Sequence, residues 1–453
     1  MEEEEYRGVV ADKLREAGAS VGDTVRLKRR DGFTVEGRIL PRYSFTSNDI
    51  LVLKLANGYN IGIRVDDETV VEKLEKAGES KHAGTPVPLL DRVEMKAAEK
   101  VYVIGTGGTI ASRIDYSTGA VYPYISTEEL LQAVPELYEI ADVEVVELFN
   151  IFSEDMNPQR WKLLALKIEE LFNKGAEGVV VAHGTDTMGY TAAAVAFAFR
   201  DTLPGPVVFT GSQRSSDRPS SDSAFNMVSA VLMAARSPYR ESMVVMHGVT
   251  GDEYALAHRG VRVRKMHTSR RDAFQSINTL PLARIDPYKK EIRIITRPLF
   301  EKPYTGSPEP LPEFSDRIAL IMHYPGMEGE LIDMLLDRGY KGIVIAGTGF
   351  GHVSTQAIKS IERSRDLGVP VVVTSQCLFG RVNLNVYSTG RRMLRAGAIP
   401  AGDMLPETAY VKLSWLIGRG LGYEDVAELM PSSIVGETGD RSEIRYYPRW
   451  YHG

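Results

Sequence analysis

Two hydroxyl-bearing loops hold most of the chemistry available to this chain. One is His183-Gly184-Thr185-Asp186-Thr187, which follows the valine run at 179–181. The other is Thr106-Gly107-Gly108-Thr109-Ile110, which follows Val101-Tyr102-Val103-Ile104. A threonine hydroxyl is a weak nucleophile until a neighbouring group takes its proton. Thr185 has a carboxylate, Asp186, as its immediate neighbour. Glycines in both loops let the backbone approach a ligand closely. Two such hydroxyls, one beside a carboxylate, suit acyl transfer, provided a third ionisable group activates or reprotonates them. Each threonine could equally cap a helix, because its side chain accepts from free helical N–H groups.

The surrounding elements set where those hydroxyls sit. The valines at 179–181 read as a buried strand, and the alanine-rich stretch 188–200 reads as a helix. Thr185 and Asp186 therefore stand where a parallel strand ends and a helix begins. Ligands bind at that edge of open α/β sheets. A helix N-terminus there also favours negative charge. Apolar strands at 101–104, 179–181, 207–209 and 243–246 alternate with helical patterns. This predicts a doubly wound, mostly parallel sheet. A Pro- and Gly-rich break at 303–310 precedes further buried-type strands at 318–322, 342–345 and 369–373, hence a second, smaller α/β lobe from about 312.

Residues 1–77 read differently. Short strands are expected at 24–27, 34–40, 50–55 and 59–65, with Asn57-Gly58 as a hairpin signal between the last two. Helical patterns fall at 4–17 and 68–77. The result is a small β-rich, barrel-like domain. A polar stretch with Gly and Pro follows. The expected organisation is 1–77 as this domain, 78–98 as linker, 99–305 as the larger α/β lobe and 312–453 as the smaller lobe and tail. The tail carries Tyr446, Tyr447, Trp450 and Tyr451, which could dock on another surface or finish the last sheet.

Composition removes several function classes. The 453 residues carry 54 Lys and Arg against 60 Asp and Glu, a net charge of −6, which argues against strong direct nucleic-acid binding. The single cysteine, Cys377, excludes an intrachain disulfide and fits a reducing compartment. It follows an apolar strand and reads as a buried, inert thiol. No apolar run reaches the roughly 18 residues of a membrane span. The acidic start is no signal peptide, so a cytoplasmic protein is expected. Gly105-x-Gly107 and Gly347-x-Gly349 are not dinucleotide fingerprints, since the third-glycine positions hold Ile110 and His352. His183, His247, His258 and His267 are scattered without ligand spacing, so no metal is expected. His183 reads as a structural residue at a strand end.

Taken together, the two loops resemble the signature pair of the L-asparaginase family, amidohydrolases with threonine nucleophiles. The likeness continues through 150–157, 209–214 and 264–268 and covers roughly 99–430. It implies two α/β lobes, the larger with the motifs and the smaller completing the pocket. It implies Thr109 as first choice of nucleophile, with Thr185, Asp186 and Lys265 as a triad of hydroxyl, carboxylate and base. The choice between the two threonines stays open. By itself Lys265, inside Arg262-Val263-Arg264-Lys265-Met266-His267-Thr268, reads as one cation of a basic surface patch. The resemblance gives Ser153 a grip on the substrate's α-carboxylate or amide and makes Gly184 part of the binding loop. Glu154 stands where many plain asparaginases carry glutamine, and it can pair with an α-ammonium. Tyr122 matches the family's lid tyrosine, with Tyr116 as the alternative. The family's paired subunits imply a homodimer.

The residues before 99, together with Glu154, resemble one branch of that family, the glutaminase subunit of a tRNA-dependent amidotransferase. The branch implies glutamine hydrolysis, with ammonia passed to a partner subunit of the E type. That partner would bind Glu-tRNA(Gln) and use ATP and Mg, with no cofactor in this chain, as a homodimer within a heterotetramer. The alternatives are a stand-alone L-asparaginase or glutaminase with an extra N-terminal domain, and a non-catalytic module that keeps the fold as a scaffold.

Overall fold

The computed structural model describes residues 6–40, 47–55, 60–75, 99–107, 112–114, 121–123, 134–214 and 221–447. The chain divides into two compact units, Met1–Ala97 with Ala111–Tyr124 and Arg214–Ser221, and the remainder.

The first unit is the small β-rich domain. Strands β1 (Thr24–Lys28), β2 (Thr34–Ile39), β3 (Ile50–Lys54), β4 (Asn60–Arg64) and β5 (Val70–Glu75) form an antiparallel sheet in the order β4-β3-β2-β1-β5. Helix α1 (Gly8–Glu16) contributes Val10 and Leu14 to a core with Val25, Leu27, Ile39, Leu51 and Leu53. Alternation explains the sheet: Val25 and Leu27 point inward, while Arg26 and Lys28 point out to Glu36 and Glu72. Asn57-Gly58 lies outside the described residues, but Lys54 and Asn60 face each other across β3 and β4, as a hairpin requires. The helix expected at 68–77 is instead strand β5, paired with β1 so that Val71 faces Leu27. Val71 enters the core while Val70 and Leu74 face outward, a period of two. Burial at the edge of β1 outweighed the helix-forming Glu and Lys between them.

In the second unit, β6 (Lys100–Gly105) is followed by a short hairpin, β7 (Ser112–Ile114) and β8 (Val121–Pro123), which clusters with the first unit. The larger lobe then adds β9 (Asp142–Glu147), β10 (Gly178–Ala182), β11 (Val207–Thr210) and β12 (Ser242–His247), all parallel. An antiparallel extension holds β13 (Ala255–Arg259), with β14 (Val263–Lys265) and β15 (Phe274–Ser276) as a separate ribbon, then β16 (Ala283–Asp286) and β17 (Glu291–Ile294). The sheet order is β17-β16-β13-β12-β11-β10-β6-β9. The chain runs from β6 to the edge strand β9 and returns past β6 to β10. The topological switch therefore lies between β6 and β10, the two strands that carry the motif loops. Helices α2 (Pro158–Asn173), α3 (Met188–Phe199) and α4 (Ser223–Arg236) cover the sheet, and every residue of β10 is buried. Both faces of a parallel sheet are covered, which explains unbroken valines in place of alternation.

The smaller lobe is a parallel sheet of β18 (Ile318–Met322), β19 (Gly342–Gly347), β20 (Val371–Ser375) and β21 (Ala398–Pro400). Helices α5 (Glu330–Asp337), α6 (Ile358–Asp366), α7 (Ser388–Ala396), α8 (Pro406–Gly418) and α9 (Tyr423–Leu429) complete it. The lobes share a core in which Phe197 of α3 stacks on Trp415 of α8 at 5.8 Å. Cys377 is exposed, not buried: β20 ends at Ser375, and the thiol lies past the covered part of the strand. The described part of the tail forms no strand; Tyr447 meets the edge of Phe379 at 5.5 Å. No helix among the described residues is long and apolar enough to cross a membrane.

Candidate functional site

The ends of β6 and β10 are pinned together by backbone geometry. Gly105 pairs with Ala182, and both the amide and the hydroxyl of Thr106 donate to the Ala182 carbonyl, at 3.1 and 2.9 Å. Gly107 has φ +99°, and a Cβ there would stand 2.2 Å from the Ile151 carbonyl oxygen. Only glycine fits this close approach. Gly108 and Thr109 lie outside the described residues, as does Tyr116. Tyr122 lies on β8, opposite Arg113 in the ladder.

Thr185, Asp186 and Lys265 come together. Lys265 Nζ lies 2.8 Å from Thr185 Oγ1 and 2.8 Å from Asp186 Oδ1. Thr185 is buried, the Lys265 side chain is 14% exposed, and the Asp186 side chain is 69% exposed. Because Nζ donates to Oγ1, the hydroxyl's own proton is directed elsewhere, and charge developing on that oxygen meets a cation. The lysine arrives on β14, held antiparallel to β15 with Lys265 opposite Phe274. Val263 is buried on that strand, which fixes its face. Arg264 reaches Glu407 of α8 at 3.2 Å.

The residues expected to hold the substrate lie together beside the motif loop. Ser153 is buried at the start of a 3-10 turn, Ser153–Asp155, and Glu154 is exposed beside it. A Cβ on Gly184 would stand 2.7 Å from Ser153 Cβ, so this glycine admits the turn. The Thr187 hydroxyl donates to the Ser153 carbonyl at 2.6 Å. Gly211, from the segment 209–214, backs the same loop: a Cβ there would be 2.5 Å from the His183 carbonyl oxygen and 3.0 Å from Thr185 Cγ2. His183 is buried at the end of β10. Its Nδ1 is 2.7 Å from the Gly184 carbonyl oxygen and so carries a proton, and burial pushes the imidazole down to about 4. Among the described residues no group of three or more His, Cys, Asp and Glu could hold a metal ion.

Two features had no local signal in the sequence. A cavity of about 370 Å³ is lined by Thr185, Asp186 and Lys265 and extends to Tyr190, Arg264 and Glu407. Ser153 and Glu154 are not among its walls. The second feature is a buried polar chain behind the 209–214 loop. Asp222 accepts from the Ser212 hydroxyl at 2.9 Å and the Gln213 amide at 3.0 Å, Asn226 donates to Asp222 and to the Gly211 carbonyl, and His247 lies 2.7 Å from Asn226. The segment 209–214 is visible in the sequence. Its supports, Asp222, Asn226 and His247, are not.

Comparison with known proteins extends these observations. The family model for the asparaginase N-terminal domain matches residues 100–299, that for the glutaminase/asparaginase C-terminal domain matches 317–430, and that for the GatD N-terminal domain matches 19–74. The D subunit of the glutamyl-tRNA(Gln) amidotransferase of Aeropyrum pernix is 53% identical, over 93% of this chain and 99% of its own. Its counterpart from Pyrococcus abyssi is 53% identical over 97% of this chain and 100% of its own. Among solved structures, the thermostable L-asparaginase from Thermococcus kodakarensis superposes with a TM-score of 0.67 at 33% identity, covering 75% of this chain and 99% of that one. L-asparaginase I from Vibrio cholerae gives 0.66 at 30% identity, over 76% and 100%.

Proposed function

The chain belongs to the asparaginase family, in its branch of glutamyl-tRNA(Gln) amidotransferase D subunits, and from that premise we propose that it is the glutaminase component, feeding ammonia to a partner subunit. The observation that carries this reading is Lys265 Nζ at 2.8 Å from both Thr185 Oγ1 and Asp186 Oδ1, at the topological switch of the sheet. A hydroxyl, an amine and a carboxylate in mutual contact are the parts of an activated nucleophile or a proton relay.

The mechanism we propose is two-step acyl transfer. A threonine hydroxyl attacks the side-chain carbonyl of glutamine and gives up its proton. Thr109 remains the first choice, with Thr185, Asp186 and Lys265 polarising the amide, positioning water or relaying protons. Backbone N–H groups at the strand ends stabilise the oxyanion. The tetrahedral intermediate collapses, the C–N bond breaks and protonated nitrogen leaves as ammonia. Water then attacks the acyl-enzyme and releases glutamate. Ser153 and the Gly184 loop would hold the amino-acid end, Glu154 its α-ammonium, and Tyr122 would close over it. No cofactor is assigned to this chain. A partner of the E type would bind Glu-tRNA(Gln) and use ATP and Mg, in a cytoplasmic assembly built on a homodimer.

Ammonia release by the purified chain, compared for glutamine and asparagine, alone and with the partner and Glu-tRNA(Gln), tests this. Weak activity that rises with partner and tRNA and prefers glutamine is the expected result. Strong, partner-independent activity on asparagine would replace it with the stand-alone enzyme. Thr109→Val and Thr185→Val should each abolish glutamine-dependent amidation and spare amidation driven by ammonium.

A further inference from the structure

Lys265 is fixed from the smaller lobe, at residues outside the motifs. Three residues before it, Arg262 is 3% exposed and reaches Asp403, which precedes α8. Nη1 lies 3.0 Å from Asp403 Oδ2, and Nε donates to the Gly436 carbonyl at 3.0 Å. Oδ2 itself accepts no hydrogen bond, and Nη1 also donates to the Asp403 carbonyl at 3.4 Å. The other oxygen, Oδ1, accepts from the Thr438 hydroxyl at 2.8 Å and the Gly439 amide at 2.9 Å. Asn278, just past β15, donates to the Asp403 carbonyl at 3.0 Å. Thr408 of α8 donates to the Val261 carbonyl at 3.0 Å. Both ends of the β14–β15 ribbon are thus bound to one short segment of the smaller lobe. Side chains at both sequence neighbours of Val263 make ion pairs there as well.

We propose that Asp403 is a positioning residue for Lys265, acting through Arg262. The inference rests on the reading of Lys265 as part of the reacting site. A paired, buried carboxylate makes a stiff anchor because moving Arg262 away would leave both charges uncompensated. The distance from Arg262 to Lys265 is one strand of three residues, too short to absorb a shift at its root. A misplacement of about 1 Å at a reacting group can cost on the order of 100-fold in rate. Asp403 touches neither Thr185 nor Asp186, so its effect must pass through the ribbon.

The test uses the full chain in its amidotransferase complex, with Asp403→Asn and the gentler Thr438→Val. Expected are falls in kcat for glutamine of about 30-fold and about 3-fold, with KM within about twofold, since the amino-acid end is held elsewhere. In a Lys265→Met background, Asp403→Asn should lower kcat no further. Acylation of Lys265 by an amine-selective reagent, read by peptide mass spectrometry, should speed up several-fold in both variants. Unchanged kcat and labelling with only a lower Tm would make the pair purely structural and overturn the proposal, as would additive effects in the double variant. Should Asp403→Asn not fold, Thr438→Val decides alone by the same readouts. Faster labelling alongside a Lys265→Met enzyme that still turns over would instead sink the role of Lys265 and leave the anchor standing.

Discussion

The two lobes of the second unit carry the same kind of edge and use it differently. In both, a buried parallel strand ends in glycine and threonine: Ala182-His183-Gly184-Thr185 after β10, Ala346-Gly347-Thr348-Gly349 at β19. In the smaller lobe the polar groups close on their own backbone. Thr348 donates through both its backbone N–H and its hydroxyl to the His352 carbonyl, at 2.9 and 3.2 Å, and the Gln376 side-chain Nε2 donates to the Ala346 carbonyl at 2.9 Å. In the larger lobe the Thr185 hydroxyl meets a cation delivered from a ribbon 80 residues away. A sheet edge is therefore not a site by itself. It becomes one where a charged group from another element reaches it.

Replacing that cation should break the contrast most severely. Lys265→Met is expected to lower glutamine-dependent turnover by about 10³-fold, within the usual range for loss of a positioned proton-transfer group, while ammonium-driven amidation persists. Equal loss of both reactions would point to damaged assembly. The smaller lobe's answer to Lys265 is Lys412, fully buried against Glu437 at 2.6 Å and donating to the Ser432 carbonyl at 2.6 Å. Its role is structural, so Lys412→Met should cost about 3–5 kcal/mol in urea unfolding by leaving the Glu437 carboxylate buried without its counter-charge, held only by the Ile434 and Val435 amides. A stability change below about 1 kcal/mol would refute that assignment.

Acid should act first through the buried histidines of the larger lobe. His183 is held near 4 and His258 near 3, both by burial, against 6.5 when solvated. The fold therefore favours their neutral forms, and the unfolded chain binds more protons below 6.5. Their contribution is complete above pH 6.5 and declines as pH falls toward 4, by up to about 1.4 kcal/mol per pH unit for each group. Unfolding free energies measured across that window should slope accordingly, and His183→Gln should flatten the slope. A pH-independent wild-type stability there would contradict it. The smallest effect belongs to the silent edge. Thr348→Val should leave kcat/KM within about twofold and cost about 1 kcal/mol, the net worth of one hydrogen bond. A larger loss of activity would mean that the smaller lobe's edge also takes part.

Much of the architecture was legible beforehand. Unbroken valine runs at 179–181 and 371–373 identify strands covered on both faces, and the alanine-rich stretch after Thr187 identifies α3. Where two local signals competed, the reading failed. The segment 68–77 has helix-forming Glu and Lys, but pairing with β1 made it β5. Cys377 sits two residues beyond a buried strand, and that short distance carries it into solvent.

The sequence by itself determined the two-lobe α/β pattern, the separate β-rich domain and the hydroxyl–carboxylate pair at 185–186, because these depend on periodicity and near neighbours. It could offer Lys265 only as one cation in a basic run, and Asp403 and Glu407 not at all. Tertiary structure decided those. The partners of Lys265 are 79 and 80 residues away, and Arg262 meets Asp403 over 141. Such contacts form only when separate elements close on one another, and no local pattern encodes which charged side chain is left facing which.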